Sequence, residues 1–322
     1  MSSLKSRSPK GSWVLVTGAT GHIAVHTTRQ LPEHGFRVRG TVRDLNRATW
    51  LTQHVFSPFA DRGDLELVQV PDLGAQHAFD EAIKGVSAVA HIASILSFSD
   101  SPQDVIPPAV DSMVSILEAA AREPSAKSIV YTSSIAATVD LSPEVTAHAG
   151  PDAWNDHAVE AEKTLWAFVK KNKPHYTVNV VSPATVLGEA LGQRHLVSPY
   201  PLVKNLYDGN EEIGALLQAI IHVDVKDVAL LHVAVVLDPD CNGARLQAQG
   251  EYCNMNDILA ILRRLHPEKK SMNDFPNQTE LRITAEYDQL VELLRKRGGQ
   301  DGWTPLKNSV IEEIEGALKW FP

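Results

Sequence analysis

The chain of 322 residues holds only two cysteines, Cys241 and Cys253. Two thiols so far from any matching ligand pattern suit neither a zinc site nor a disulfide framework. Charge of one sign is never concentrated. Thirty Lys and Arg stand against 39 Asp and Glu, a net charge of −9 spread along the chain. That balance argues against nucleic acid or an anionic membrane as partner. No apolar run approaches membrane-spanning length, there is no internal repeat, and no low-complexity tract occurs. The basic, serine-rich start "MSSLKSRSPKGS" leaves too little room for a transit peptide before the first apolar strand, so residues 1–12 are expected to be a frayed, disordered terminus. The expectation is a cytoplasmic protein, monomer or homodimer, acting on a small molecule.

What the chain does have is 43% hydrophobic residues, arranged as short apolar runs that alternate with helical patterns. "WVLVTGA" (13–19), "FRVRGTV" (36–42), "LELVQV" (65–70), "VSAVAHIAS" (86–94), "SIVYTSS" (128–134) and "YTVNVVSP" (176–183) read as buried strands. Helical patterns follow at 22–33, 109–123 and 155–172. Strand and helix in alternation predict an α/β, Rossmann-type doubly wound parallel sheet. Past residue 188 the pattern loosens into Gly- and Pro-rich loops and amphipathic helices at 256–265 and 285–297. The expected organisation is a nucleotide-binding domain over 13–187 and a smaller lobe, mostly substrate-binding, over 188–322, interleaved with the sheet.

"VLVTGATGHIAVH" (14–26) is strand, Gly-rich turn and helix start. Gly18 permits the tight turn, Gly21 lets the backbone approach a pyrophosphate, and Ala24 is small enough for the helix to pack on the strand. The helix N-terminus offers free N–H groups to the phosphates. Thr17, Thr20, His22 and Ile23 belong to the same turn. The second strand ends in "RGTVRD", where Arg43, with Arg39 and Arg47 nearby, suits a 2′-phosphate, so NADP(H) is the expected cofactor. Asp44 beside it can instead hold a ribose or repel the phosphate. His22 and His26 lie four apart on the helix, but that helix start is committed to the pyrophosphate and no third ligand is evident, so no metal is expected.

Taken together, "TGATGHIA", "VRGTVRD", "VPDLG", "VAHIAS", "VYTSSIAA", "VSPATVLG" and "HVDVKDVALLHVAVVLD" resemble the extended-type short-chain dehydrogenase/reductases, in the branch of dihydroflavonol reductase-like and fungal aldehyde and ketone reductases. The resemblance spans most of the chain. It implies that Asp72 and Leu73 border the adenine, that Ile92, Ala93, Ser94 and Thr132 line the cofactor, and that Pro183, Thr185 and Val186 pass near the nicotinamide. It also implies that Ser134 is the catalytic serine that hydrogen-bonds a substrate carbonyl.

The family then places Tyr-x-x-x-Lys at the start of the next helix, and here "DAWNDHAVEAEKTLW" (152–166) carries neither residue in that pattern. One alignment puts Trp154 and Ala158 at those positions. The other, favoured because Ser134 and Trp154 are only 20 residues apart, deletes the segment holding both before Glu162. The Tyr200-to-Lys204 spacing follows the "VSP" strand instead of preceding it, and prolines flank Tyr200, so it is read as coincidence. Tyr200 remains a candidate for the substrate pocket, and Trp154 and His157 for the catalytic region. Asp156, His157 and Glu160 read first as solvated helix-start residues. General acid catalysis is worth about 10²–10⁴ in rate, so ordinary ketone reduction is expected to be poor. Three readings stay open. They are hydride transfer to an electrophile needing no proton donor, such as an iminium or conjugated system; a non-redox isomerase, dehydratase or cyclase; and a non-catalytic NADP(H) sensor. A hydrophobic natural-product intermediate of secondary metabolism is the expected substrate.

Overall fold

The structure, a computed structural model, describes residues 5–94, 102–142, 145–155, 160–196, 202–212 and 217–320. It divides into two compact units that exchange chain several times. The first comprises Met1–Ser133, Asp156–Val181 and Ala229–Leu246; the second comprises Ser134–Asn155, Ser182–Val228 and Gln247–Pro322.

In chain order the strands are β1 (Trp13–Val16), β2 (Arg37–Val42), β3 (Leu65–Gln69), β4 (Val86–His91), β5 (Ser128–Thr132), β6 (Thr146–Ala149), β7 (Thr177–Pro183), β8 (Thr185–Leu187), β9 (Ala219–Asp224), β10 (Arg245–Ala248), β11 (Glu251–Asn254) and β12 (Arg282–Ala285). Seven of them form the central parallel sheet in the order β10-β7-β5-β4-β1-β2-β3, the doubly wound arrangement expected from the strand–helix alternation. Both faces are covered, so the strands read as continuous apolar runs; every residue of β4 is buried. Leu15, Val89, Ile129 and Val180 from the strands meet Met113, Ile116, Leu117 and Ala120 of the helix Pro102–Arg122 and Leu165 of the helix Glu160–Asn172.

That first helix starts earlier than its sequence suggests. Pro107 and Pro108 lie inside it, ahead of the pattern at 109–123, although residues without N–H groups are poor members of a helix interior. The chain start also departs from expectation. Arg7 donates to the carbonyls of Asp238 (2.9 Å) and Cys241 (2.6 Å), and Ser8 is buried. The frayed terminus therefore does not extend to residue 12, because a guanidinium at position 7 caps carbonyls just past the helix Val225–Leu237.

The second unit has no counterpart to the sheet's clean pattern. β11, β9 and β8 form one small sheet, and β12 pairs in parallel with β6. Its core joins Leu202, Val203 and Leu206 to Ile258, Leu259 and Leu262 and to Val310, Ile314 and Ala317. The helix Met255–Leu265 is held at its start by a capping box, with Asn254 accepting from the Asp257 amide and Asp257 accepting from the Asn254 amide. Segment 134–155 joins this unit and 229–246 joins the other, so the units exchange chain on both sides of residue 187.

Candidate dinucleotide and substrate site

In the first unit the turn after β1 is built by close approach. Gly18 has φ +65°, and a Cβ there would lie 2.9 Å from the Ala93 Cβ. Only glycine adopts this conformation in that space without strain. Its amide donates to Thr41 Oγ1 (3.0 Å). Gly21 caps the helix His22–Glu33 in an extended conformation, with no side chain on the first amides and no acid in the first turn. A glycine turn with no room for a side chain, leading to a helix whose N-cap residue adds no side-chain bond, fits a dinucleotide pyrophosphate. Gly40 was not singled out from the sequence, yet a Cβ there would sit 2.8 Å from the Ala19 Cβ. A glycine inside the strand pattern "RVRGTV" was the available signal.

Thr17 is the peg of this site. Its Oγ1 accepts from the amides of Ile92 and Ala93, each at 3.0 Å, and lies 3.1 Å from His91 Nδ1. An oxygen already accepting twice donates its own proton, so His91 Nδ1 is the acceptor and the imidazole is neutral. Burial pushes the His91 pKa down to about 4, in the same direction. The ring stacks on Tyr131 and meets Phe79 edge-on. His91 escaped sequence reading because a histidine in an apolar strand carries no sign of the partner it will meet.

At the end of β2, Arg43 is exposed and has no hydrogen-bond or ion-pair partner among the described residues. Asp44 Oδ1 accepts from the amides of Asn46 (2.9 Å) and Arg47 (3.4 Å), so that carboxylate is engaged with its own loop. Arg39 is committed elsewhere, to Glu66 and to the carbonyls of Ala82 and Lys84. Arg47 is exposed, as is Ser94. Asp72 Oδ1 accepts from the Gly74 amide, and Leu73 packs against the core. Thr132 Oγ1 pairs with His232 Nε2 at 2.7 Å. His26 is fully buried, with Nδ1 3.0 Å from an Arg29 nitrogen. Among the described residues no three His, Cys, Asp or Glu side chains converge on a metal position.

A buried ion pair stands behind the end of β5. Arg245 Nε donates to Glu162 Oε1 (2.6 Å), Ser133 Oγ donates to Glu162 Oε2 (2.6 Å), and Trp166 Nε1 adds a third bond at 3.3 Å. This cluster fixes the residue just before Ser134. Sequence reading reached Glu162 only as an alignment anchor; its partner Arg245 lies 83 positions away.

In the second unit Ser134 is exposed, and its Oγ accepts from the Ala136 amide at 3.2 Å. That bond leaves the hydroxyl proton free for a ligand oxygen. Asn155 ties the following turn, donating to the carbonyls of Ala136 and Val139. Next to Ser134, Ile135 lines a pocket of about 370 Å³ together with Leu141, Ala184, Thr185, Leu217 and Leu281. Gln218 and the β9 residues Ala219–Ile221 complete the wall, and no charged side chain contributes. Pro183 is buried and Val186 half-buried. Trp154 is 37% exposed and is not part of this wall. Asp156, His157, Ala158 and Tyr200 lie outside the described residues. Lys204 pairs with Asp208 within its own helix.

β9 also carries His222 and Asp224 into a buried polar row. His222 Nε2 lies 2.9 Å from Ser309 Oγ, which donates to Asp224 Oδ2 at 2.6 Å. Desolvation raises the Asp224 pKa to about 6, lowers that of His222 to about 4 and raises Glu313 to about 7. Asp227 holds the loop before the last helix, accepting from the amide and hydroxyl of Thr304 and from Gln300.

These geometries coincide with clear similarity to known proteins. The family model described as the NAD dependent epimerase/dehydratase family matches residues 14–245. Aldehyde reductase 2 of Sporidiobolus salmonicolor is 32% identical, over 95% of this chain and 96% of its own. Ketoreductase adrE of Penicillium rubens is 34% identical, over 96% of each. The solved structure of yeast methylglyoxal/isovaleraldehyde reductase Gre2 complexed with NADPH shares the fold, with a TM-score of 0.82 at 24% identity, over 95% of this chain and 98% of that one. The chain thus belongs to the NAD dependent epimerase/dehydratase family, the extended short-chain dehydrogenase/reductases, and is an oxidoreductase-like member of it.

Proposed function

We propose that the protein is an NADP(H)-dependent reductase of secondary metabolism that acts on a neutral, hydrophobic natural-product intermediate. The observation that carries this reading is the apolar pocket beside Ser134. A wall of Ile, Leu and Ala with Thr185 and Gln218 and no cation suits neither a sugar nucleotide nor a carboxylate substrate. The names of similar proteins, an aldehyde reductase and a ketoreductase, support carbonyl-type chemistry. Arg43, free of other partners, supports NADP(H) over NAD(H) by pairing with a 2′-phosphate.

The bound nucleotide would supply hydride. Ser134 donates its free hydroxyl proton as a hydrogen bond to the substrate oxygen, and the pocket excludes water and orients the ligand. With no Tyr-x-x-x-Lys in "DAWNDHAVEAEKTLW", the electrophile best matched to these groups needs no strong proton donor: an iminium or an extended conjugated system. The same missing pair favours a second reading, in which the nucleotide is a structural wall and the enzyme isomerises, dehydrates or cyclises its substrate.

The test has two parts. Calorimetric titration should give tighter binding of NADPH than NADH, and Arg43→Glu should abolish most of the difference; equal affinities in the wild type refute the cofactor assignment. Absorbance at the nicotinamide band then follows NADPH with a panel of aryl ketones, cyclic iminiums and polycyclic enones. Oxidation with the latter two but not with simple ketones supports hydride transfer. Conversion that proceeds equally with NADP⁺ establishes the non-redox reading. Turnover of simple ketones at about 10 s⁻¹, an ordinary enzyme rate, refutes the loss of the proton donor.

A further inference from the structure

We propose a second anion-binding site on the first unit, at the edge of the sheet opposite the Gly18 turn. Its ligand is a phosphate or pyrophosphate group, free or as the tail of a nucleotide. A cleft of about 510 Å³ opens there, at the N-terminal ends of the strands. Trp13 begins β1, Arg37 begins β2, Ser87 lies at the start of β4, and Lys127 precedes β5. The dinucleotide turn follows the other end of β1, about 13 Å of strand away.

Arg7, Lys10, Arg37 and Lys127 line this cleft, and no carboxylate does. That concentration stands out in a chain of net charge −9. Among the described residues the ammonium groups of Lys10 and Lys127 have no ion-pair or hydrogen-bond partner, and both residues are exposed. The Lys10 methylenes lie against Gly35, as close as 3.2 Å to where its Cβ would be, which fixes the stem and leaves the ammonium to the cleft. Arg37 is held over the Trp13 ring at 4.5 Å and by the Gly11 carbonyl at 2.7 Å, so its guanidinium is positioned without a counter-charge.

Ser8 also lines the cleft. It is 97% buried, and its hydroxyl has no hydrogen-bond partner. A buried hydroxyl without a partner costs about 1–3 kcal/mol, and rotation of the Ser8 side chain toward a phosphate oxygen in the cleft would relieve that cost. Glu123 lies behind the wall, at Gly85 and Ser125. It is occupied by the amides of Gly85 and Ser125 and the Ser125 hydroxyl, and its pKa is lowered mainly by that hydroxyl. Four cations and no carboxylate in the lining make the cleft electropositive.

The experiment titrates inorganic pyrophosphate and, separately, ADP into the full chain by calorimetry at low salt, with and without saturating NADPH. Lys10→Glu/Lys127→Glu and Ser8→Ala variants are measured in parallel, and circular dichroism confirms their fold. Pyrophosphate binding that persists with NADPH present, is about tenfold or more weaker in the double lysine variant, and is weaker in Ser8→Ala supports the site. ADP equal to pyrophosphate assigns recognition to the phosphates alone; tighter ADP adds a nucleoside contact. Both results keep the proposal. Binding that NADPH abolishes, or that the double lysine variant retains at wild-type strength, overturns it, as does the absence of binding in the NADPH-loaded protein.

Discussion

Thr17→Val removes one oxygen and keeps the shape of the side chain, so its effect reports the hydrogen bonds alone. Three partners lose their mate: the Ile92 amide, the Ala93 amide and His91 Nδ1. Thr17 and His91 are essentially inaccessible, while Ile92 and Ala93 are half-buried. Water can reach the two amides in part, so each is set at the lower end of the range for an unsatisfied group, about 1 kcal/mol, and the imidazole nitrogen at about 1 kcal/mol more. The sum is about 3 kcal/mol. At roughly 2 °C per kcal/mol for a chain of this size, the melting temperature falls by about 6 °C. The same loss frees the 92–94 stretch from its register beside Gly18, so NADPH affinity, measured by calorimetry, should drop severalfold. A melting temperature within about 1 °C of wild type, with unchanged NADPH binding, would refute the claim that Thr17 pegs this turn.

Other outcomes follow from the same structure. His91 has a folded pKa near 4, below the unfolded 6.5, so the unfolded chain binds more protons between those values. The His91 contribution is full above pH 6.5 and falls as pH drops toward 4, by up to about 3 kcal/mol; urea unfolding of wild type beside His91→Phe at pH 7 and 5 isolates that share from the opposite trend of Glu313, and wild type should lose more stability than His91→Phe. Glu313 is the opposite case, with a pKa raised to about 7 from 4.5. Its neutral form suits the fold, so stability is lost as pH rises from 4.5 through 7, and Glu313→Gln should raise the melting temperature at pH 8 while leaving it nearly unchanged at pH 4.5. Breaking the buried Glu162–Arg245 pair from one side should cost about 3–5 kcal/mol. The double Glu162→Met/Arg245→Met variant should cost less than Arg245→Met alone, and additive losses in that double-mutant cycle would show that the two groups are not coupled.

The sheet was legible because burial on both faces writes itself as apolar runs, and the strand ends were set within a few residues. The Gly18–Gly21 turn was legible because its spacing is a steric requirement. Less could be read where the cause is distant in the chain. β6 and β12 are short, exposed in alternation and paired across 136 positions, so neither carries a pattern of its own. Arg39 and Arg43 look alike in "RVRGTVRD", yet only Glu66 on the neighbouring strand decides that one is a structural tether and the other is free. Of the catalytic candidates, Ser134 is exposed with its hydroxyl proton free, and its role, like that of Trp154, is a proposal. His157 and Tyr200 remain proposals. The pocket wall was invisible as a unit, since Ile135, Thr185, Leu217 and Leu281 are assembled from four separate stretches.

The exchange of segments between the units bears on the order in which a growing chain can fold. Strands β1 to β5 are complete once residue 132 has been made, and β7 follows at 183. Yet β10, the last strand of the sheet, waits for residue 248, behind the 182–228 stretch that belongs to the other unit. That other unit waits longer still, because Asp227 and the core around Ile258 are satisfied only by residues 300–317. The first unit is unfinished until residue 248 and the second until residues 300–317, so no single cut in the chain separates the two units. Nascent chains arrested at 190 residues should be protease-sensitive at their newest third, and resistance should arrive in two steps, after residue 248 for the first unit and after residue 317 for the second.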